Sequence, residues 1–389
     1  MPYTKNDTDL ASYATVRQLE ILDLINQGKT NEEIGSILSI SSEHVSRSMR
    51  LVKAKAAAKG NAPGVFENGV IPGYNMGKVT IHRDADGVVK NTWERQHPDD
   101  VLREEAIRDA FNAMASKLPR INAIQFKAKV DDKLATLYTL TDSHVGMLAW
   151  AKEGGSDWDL EIAEKTLVNC FSAMVKASPD AKTGFVNQLG DFLHYDSAVA
   201  PVTPQHGHIL DSDGRFSKMV STAVRILRRV IDMALTKHEK VVVLLAEGNH
   251  DMASSVWLRV MFRALYENEP RVEIIDSELP YYVYQHGKTM LGFHHGHLKK
   301  NDQLPILFAS QFPKVWGNTT KRYAHCGHKH HVEEKEHSGL TVIQHTTLAA
   351  RDAYAARGGW ISERAVTSIT YHDQYGQVAR NTVTPEMLS

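Results

Sequence analysis

Five short apolar runs constrain this chain more than any other feature. LATLYTL leads into Asp142 and His144, and GFVNQL into Asp191 and His194. VVVLLA leads into Asn249, His250 and Asp251, TMLGF into His294, His295 and His297, and RYAH into His328, His330 and His331. From about residue 134 onward such runs alternate with longer helical stretches, which predicts an α/β domain. In an open α/β sheet the strand ends open onto one crevice. Residues as distant in sequence as Asp142 and His331 are therefore expected to converge in space.

The donor types narrow the chemistry. Aspartate, asparagine and imidazole form a mixed oxygen and nitrogen set without thiolate, which suits Mn, Fe or Zn better than a structural zinc cage. Histidine is the compositional outlier, with 20 in 389 residues. The donors are too many for one ion. Two ions sharing a carboxylate are used for in-line displacement at phosphorus. Gly190, Gly248, Gly296 and Gly327 lie beside these donors and are expected to let the backbone turn sharply there.

D-x-H, G-D, G-N-H-D, H-G-H and G-H-x-H, in this order, resemble the calcineurin-like metallophosphoesterases over roughly residues 134–350. The resemblance implies that Asp142, His144 and His330 hold a first metal and that Asn249, His295 and His328 hold a second. Asp191 would be the bridging carboxylate. It also implies that His250 is no ligand but assists the leaving oxygen, that Asp251 orients or charge-tunes His250, and that a water between the metals attacks phosphorus. TDSHVGM and GDFLH resemble the SbcD-type subunits of DNA-break nucleases, in which a histidine at the place of His194 positions substrate or water. That subgroup lacks the N-terminal segment found here, and no segment that docks on an ATPase can be inferred. The whole layout, with RGGW at Arg357–Trp360, resembles proteins of tailed bacteriophages. An oxidoreductase reading has no Gly-rich dinucleotide fingerprint to support it.

Each residue has a plainer alternative. For Asp142, His144, Asp191, Asn249, His328 and His330 it is poor, because a buried unpaired polar group costs roughly 2–7 kcal/mol. His295 leads His294 as ligand, since strand alternation points the two to opposite faces; His297 is a candidate for a phosphate contact or for supporting a ligand. His325, His331 and His345 read as structural, and Cys326 as a small core hydrophobe. The polar segment 201–216, with His206, His208, Asp211, Asp213 and Arg215, reads equally as a lid or as a solvated loop. Trp257, Tyr281 and Tyr282 are candidates for base stacking or, more simply, core.

Residues 15–58 read as three helices. Leu19, Leu22 and Ile25 mark the first, which stops at Gly28. Thr30 with Glu33 forms a capping box for the second, and the third starts near Ser41 or Ser42. This is helix-turn-helix spacing. The third helix carries Arg47, Arg50, Lys53 and Lys55, and also Lys59, and can lie along a phosphate backbone; a plain bundle or a protein-docking role is the alternative. Residues 60–76 read as a linker, the stretch around Asp86–Gly87 as a hairpin, and 97–119 as a helix.

The expected fold class is α/β: a four-layer αββα metallophosphoesterase domain over 134–389, a linker, hairpin and connector helix over 61–133, and a small all-α helix-turn-helix domain over 1–60. The expected cofactors are two divalent metal ions, Mn first, with Fe, Zn or Mg as alternatives. DNA is the expected partner, and a homodimer is compatible with it. The net charge of −1 and pI of about 7.1 leave the DNA question to local patches. Two cysteines, no apolar signal core and no long apolar run predict a cytoplasmic protein without a membrane span. The leading function is a two-metal DNA nuclease. The alternatives are a phosphatase or phosphodiesterase of small or cyclic nucleotides, and a non-catalytic DNA-binding or genome-delivery factor.

Overall fold

A computed structural model of the chain describes residues 7–62, 66–67, 70, 74–99, 101, 126, 129–205 and 207–388. It divides into two compact units, Met1–Glu105 and Ala106–Ser389.

In the first unit, three α-helices each begin at a hydroxyl side chain. Helix α1 (Val16–Asn26) starts at Thr15, which forms a capping box with Gln18. Helix α2 (Asn31–Leu38) starts at Thr30, whose partner is Glu33. Helix α3 (Ser42–Ala58) starts at Ser41, which accepts from the N–H of His44. Their apolar stripes meet in a core of Ile21, Leu22, Ile25, Ile34, Val45, Met49 and Val52. Thr30→Ala should cost about 1 kcal/mol of α2 stability. Faster amide exchange across α2, with unchanged exchange in the second unit, is the expected result.

Arg47, Arg50, Lys53 and Lys55 are all exposed on α3. Lys59 is not available to that face in the same way, because its ammonium sits 2.6 Å from the Asp99 carboxylate. Two short strands follow, β1 (Asn61–Ala62) and β2 (Phe66–Glu67). The expected hairpin is β3 (Tyr74–Arg83) and β4 (Val89–Pro98), paired antiparallel. Asp84 shapes its turn by accepting from the N–H groups of Asp86 and Val88. His97 and Pro98 belong to β4 rather than to a helix, and residues 102–119 of the expected connector helix lie outside the described residues.

The second unit contains, in order, β5 (Asp131–Leu140), α4 (Ala151–Gly154), α5 (Leu160–Ala177), β6 (Ala181–Gln188), α6 (Phe216–Lys237), β7 (Lys240–Leu245), α7 (Met252–Leu265) and β8 (Val272–Ile274). Then come β9 (Tyr282–His286), β10 (Thr289–Phe293), α8 (Leu304–Gln311), α9 (Pro313–Asn318), β11 (Lys321–Cys326), β12 (Glu333–His337), β13 (Leu340–Gln344), α10 (Ala353–Arg357), β14 (Val366–His372) and β15 (Gly376–Val383). One sheet has the order β15-β14-β5-β6-β7-β8, with β5 to β8 parallel and β14 and β15 antiparallel. The other has the order β12-β13-β11-β10-β9, with a parallel centre and antiparallel edges.

Alternation along the strands divides the core. Leu137, Phe185, Val242, Leu244 and Ile369 of the first sheet pack with Leu291, Phe293 and Ile343 of the second. Their neighbours Tyr138, Val186 and Val243 pack instead with Leu167, Phe171, Met174, Leu227 and Val230 of α5 and α6. On the second sheet, Met290, Ala324, Cys326 and Val342 pack with Leu304 and Phe308 of α8. Each such side chain contributes roughly 1.5–3 kcal/mol on burial. Both sheets are thus held rigidly, and the loops at the C-terminal ends of β5, β6, β7, β10 and β11 are positioned by buried strands. Among the described residues no helix is long and apolar enough to cross a membrane.

Candidate metal centre

The donors that leave β5, β6 and β11 adopt an unusual backbone. Among the described residues, six non-glycine residues have positive φ, and five of them are Asp142, His144, Asp191, His328 and His330. Left-handed conformations cost of order 1–3 kcal/mol each and persist where the surroundings over-determine them, commonly at functional sites. Here main-chain bonds between loops hold them: Asp142 N–H donates to the Gly190 carbonyl (3.0 Å) and His144 N–H to the Asp191 carbonyl (3.0 Å). The N–H of His328 donates to both carboxylate oxygens of Asp142, at 3.0 and 2.9 Å.

The side chains form two adjoining groups. The ligand atoms of Asp142, His144 and His330 lie within 4.8 Å of one another, as do those of Asp191, His295 and His328. His330 Nε2 is 3.1 Å from Asp142 Oδ1, and His295 Nε2 is 3.8 Å from Asp142 Oδ1 and 3.0 Å from Asp191 Oδ2. His295 therefore links the groups. Its Nε2 is close to Asp191 without making a hydrogen bond. Two ligands bound at about 2.1 Å to one ion are separated by about this much. The other ring nitrogen, Nδ1–H, donates to the Leu189 carbonyl (2.9 Å), which orients the ring for ligation through Nε2. The Oδ1 of Asn249 is also buried with no hydrogen-bond partner. Orphaned buried polar atoms of this kind fit a divalent cation.

The electrostatics agree. Burial alone would push His295 down, but the carboxylates of Asp191 and Asp142 outweigh it and raise it to about 10. His330 is also raised, against burial, by Asp142. Burial would raise Asp142 and Asp191, yet the surrounding imidazoles hold both below the ordinary carboxylate range. Without another cation, protons occupy the positive positions. Divalent ions must displace them, so apparent metal affinity should rise by about tenfold per pH unit for each proton released and fall on acidification. Calorimetric metal titrations across the neutral range, in buffers of different ionisation heat, check the sign and the proton count.

His194 and His250 adjoin the first group. His144, His194 and His250 again place nitrogens within 4.8 Å of one another, with His144 Nδ1 and His194 Nδ1 3.3 Å apart. Burial pushes His194 down to about 3, so it is neutral at ordinary pH. The Nδ1–H of His250 donates to the His194 carbonyl (2.7 Å).

Asp251 differs from the expectation. Its carboxylate does not hold the His250 ring; it accepts from the N–H groups of Gly248, Asp191, Phe192 and Leu193, at 2.7–3.2 Å. It staples the loop after β7 to the loop after β6. The reason is placement: Asp251 stands at the start of α7 without capping it and is buried between these loops, while the His194 carbonyl takes the His250 ring N–H. Sequence spacing carries no signal for that contact. Asp196, also unsignalled, accepts from Ala253 N–H and Ser254 N–H at the same helix start.

The glycines divide into two kinds. Gly190 and Gly296 have φ of +96° and +114° and turn the chain as expected, and Gly190 also leaves room for His295, whose Nδ1 an added Cβ would meet at 2.5 Å. Gly248 and Gly327 do not have positive φ; they are needed for space. A Cβ on Gly248 would lie 2.0 Å from Asp191 Oδ1, and one on Gly327 2.5 Å from Asp142 Oδ2.

His294 turns away from His295, with Nδ1–H on the Pro280 carbonyl (2.9 Å) and its ring against Tyr281. His297 stacks near His295 and His328, and both its ring nitrogens are buried without hydrogen-bond partners. His325 is bonded to His345 and Tyr371 inside the core. Burial raises the Cys326 thiol to about 12, and His331 is exposed. Trp257 and Tyr282 are core residues. In the segment after β6, Val202 bridges Ile209, Met147 bridges Ser212, and Leu148 N–H donates to the Asp211 carbonyl (3.1 Å); His206 lies outside the described residues. This segment is an anchored wall.

Residues 13–62 match one family model. It is GerE, bacterial regulatory proteins of the luxR family, and the match spans α1 to α3. No curated protein matches the chain. Among solved structures, the chain is similar to a predicted phosphoesterase from Streptococcus pneumoniae, at 14% identity over 65% of this chain and 91% of that one, with TM-score 0.31. It is similar to an archaeal phosphodiesterase at 11% identity over 64% and 98%, with TM-score 0.33. It is also similar to a Vps29 variant from Entamoeba histolytica at 14% identity over 64% and 98%, with TM-score 0.28.

Proposed function

We propose that the chain is a metal-dependent phosphodiesterase of calcineurin-like, four-layer αββα architecture that cuts DNA, brought to its substrate by the helix-turn-helix of the first unit. The observation that carries this reading is the pair of ligand groups joined through His295, with Asp142 and Asp191 3.8 and 3.0 Å from its Nε2. Asp142, His144 and His330 would hold one ion, and Asn249, His295 and His328 the other, with Asp191 shared. When bound, two divalent ions, Mn first among Mn, Fe, Zn and Mg, would supply Lewis-acid charge at a phosphoryl oxygen and lower the pKa of water.

The protein's own groups do the rest. His250, with Nδ1–H fixed on a carbonyl, keeps Nε2 for the proton that the leaving oxygen needs. His194, three residues after Asp191 as in SbcD-type nucleases, is neutral and so able to accept a hydrogen bond from a water or donate one to a phosphate oxygen. On α3, exposed Arg47, Arg50, Lys53 and Lys55 would contact DNA phosphates or base edges. Arg47→Ala should weaken duplex binding and flatten its salt dependence by about one unit of slope if it meets a phosphate.

The test is incubation of Mn²⁺-loaded protein with labelled single- and double-stranded DNA, beside a nucleotide panel. Cleavage that Asp191→Ala abolishes is expected; no cleavage of either DNA by metal-loaded protein overturns the nuclease reading. The anchored wall after β6, beside His194, favours a second reading, a phosphodiesterase of small nucleotides. Turnover confined to the nucleotide panel would establish it instead.

A further inference from the structure

Among the described residues of the second unit, Trp150, Tyr354 and Trp360 are exposed aromatics on segments tied to α4 and to the loop that supplies His330. The chain that supplies Asp142 and His144 runs on to Trp150, which is 56% exposed and carries Lys152 Nζ 5.2 Å from its ring centroid. Opposite it, α10 and the loop after it present Tyr354 and Trp360, 73% and 57% exposed. Their rings pack at 5.2 Å and 59°.

This loop is built against the centre. Ser362 Oγ–H donates to the carbonyl of His330 (2.6 Å). The Thr346 hydroxyl lies within hydrogen-bond distance of the His330 carbonyl (3.0 Å) and the Glu363 carbonyl (2.7 Å). A single residue, Ile361, separates Trp360 from Ser362. At the other end, Arg351 Nε–H donates to the Gly154 carbonyl (3.1 Å), which ties the loop to α4 and hence to Trp150. The Trp360 ring also lies close to Gly358, where an added Cβ would meet it at 2.9 Å. Tyr354 and Trp360 are thus fixed aromatic surfaces with open faces, not core residues that happen to be partly exposed.

We infer that Trp360, Tyr354 and Trp150 form a stacking platform for the bases of a single DNA strand whose phosphate occupies the metal centre. The inference rests on the phosphodiesterase reading above and adds to it the substrate form. Three arguments select this occupant. The loop that carries Trp360 is bonded to the His330 carbonyl, so the platform adjoins the centre that would hold the phosphate. Aromatic faces beside exposed cations, Lys152 and Arg357, are the combination that holds single strands with little sequence preference. Duplex DNA keeps its bases stacked inside and offers no face to these rings, so single-stranded ends or gaps are the form that gains.

The experiment compares the affinity of the full chain, in EDTA, for an oligothymidylate and for an abasic strand of the same length and charge. Phosphate contacts, including those of the first unit, are common to both strands, and stacking is not. Wild type should prefer the base-bearing strand. Trp360→Ala should lose roughly 5- to 150-fold of that preference, Tyr354→Ala should lose part of it, and Trp360→Phe should retain most of it. Trp93→Ala, at an exposed tryptophan of the first unit, should leave the preference intact. Equal affinity of wild type for the two strands, a preference that survives Trp360→Ala combined with Tyr354→Ala, or its loss in Trp93→Ala overturns the proposal. Self-association abolished by Trp360→Ala without any base preference overturns it in favour of a protein interface. Hydrolysis of bis(p-nitrophenyl) phosphate by Mn²⁺-loaded wild type is measured separately, so failure of the phosphodiesterase reading is seen independently of the binding result.

Discussion

Asp191→Asn should abolish phosphodiester hydrolysis, by about a thousandfold or more, while leaving the fold in place. The carboxylate oxygens of Asp191 serve two neighbours: Oδ2 is 3.0 Å from His295 Nε2, and Oδ1 accepts from the N–H of His250 (2.8 Å). An amide of the same shape can keep one of these contacts at most, and it removes the negative charge that both ligand groups share. Metal ions contribute several kcal/mol of transition-state stabilisation, and each 1.36 kcal/mol is a factor of ten. Bound metal per chain should fall together with the turnover of bis(p-nitrophenyl) phosphate. Retention of two ions and of wild-type rate would remove Asp191 from the shared position.

Asp251→Ala should be among the most destabilising single changes in the second unit, by about 3–5 kcal/mol. Its buried carboxylate accepts from four main-chain N–H groups. Deleting it strands those donors, and each buried unsatisfied donor costs roughly 1–3 kcal/mol, less where water can enter the vacated space. Burial, with Asp191 nearby, raises Asp251 to about 7, so its own desolvation offsets part of the four bonds; the net loss is accordingly set below their sum. Asp251→Asn keeps an acceptor oxygen and should fall between. Denaturant unfolding followed by tryptophan fluorescence reads the difference. A purely catalytic Asp251 would instead change rate and leave the midpoint unmoved.

The two variants also mark what could be read in the sequence. The convergence of the donors was legible because each follows a strand, and strand ends in such a sheet share one edge. The capping box of Thr30 and Glu33 and the hairpin turn around Asp86–Gly87 were legible because their partners lie within a few residues. Long-range contacts were not. Nothing in the periodicity of residues 366–383 says that β14 pairs with β5, more than two hundred positions earlier. Asp251 sits next to His250 in sequence, and that adjacency suggested a partnership. Three of its four partners, Asp191, Phe192 and Leu193, come from another loop, which only the fold brings near. The same holds for Ser362 beneath His330, and for the two kinds of glycine, since a letter G does not distinguish a turn from a tight contact.

Those tight glycines have a consequence for how such a centre can be lost. At Gly248 and Gly327 a single methyl group would intrude on Asp191 or Asp142. A drifting lineage can therefore spoil the centre while every donor residue remains in place, and without altering its charge. A descendant with alanine at either position would carry an intact-looking donor set and should bind metal poorly. In this architecture the count of ligands is an incomplete marker of a working centre; the absence of side chains behind them belongs to the signature as well.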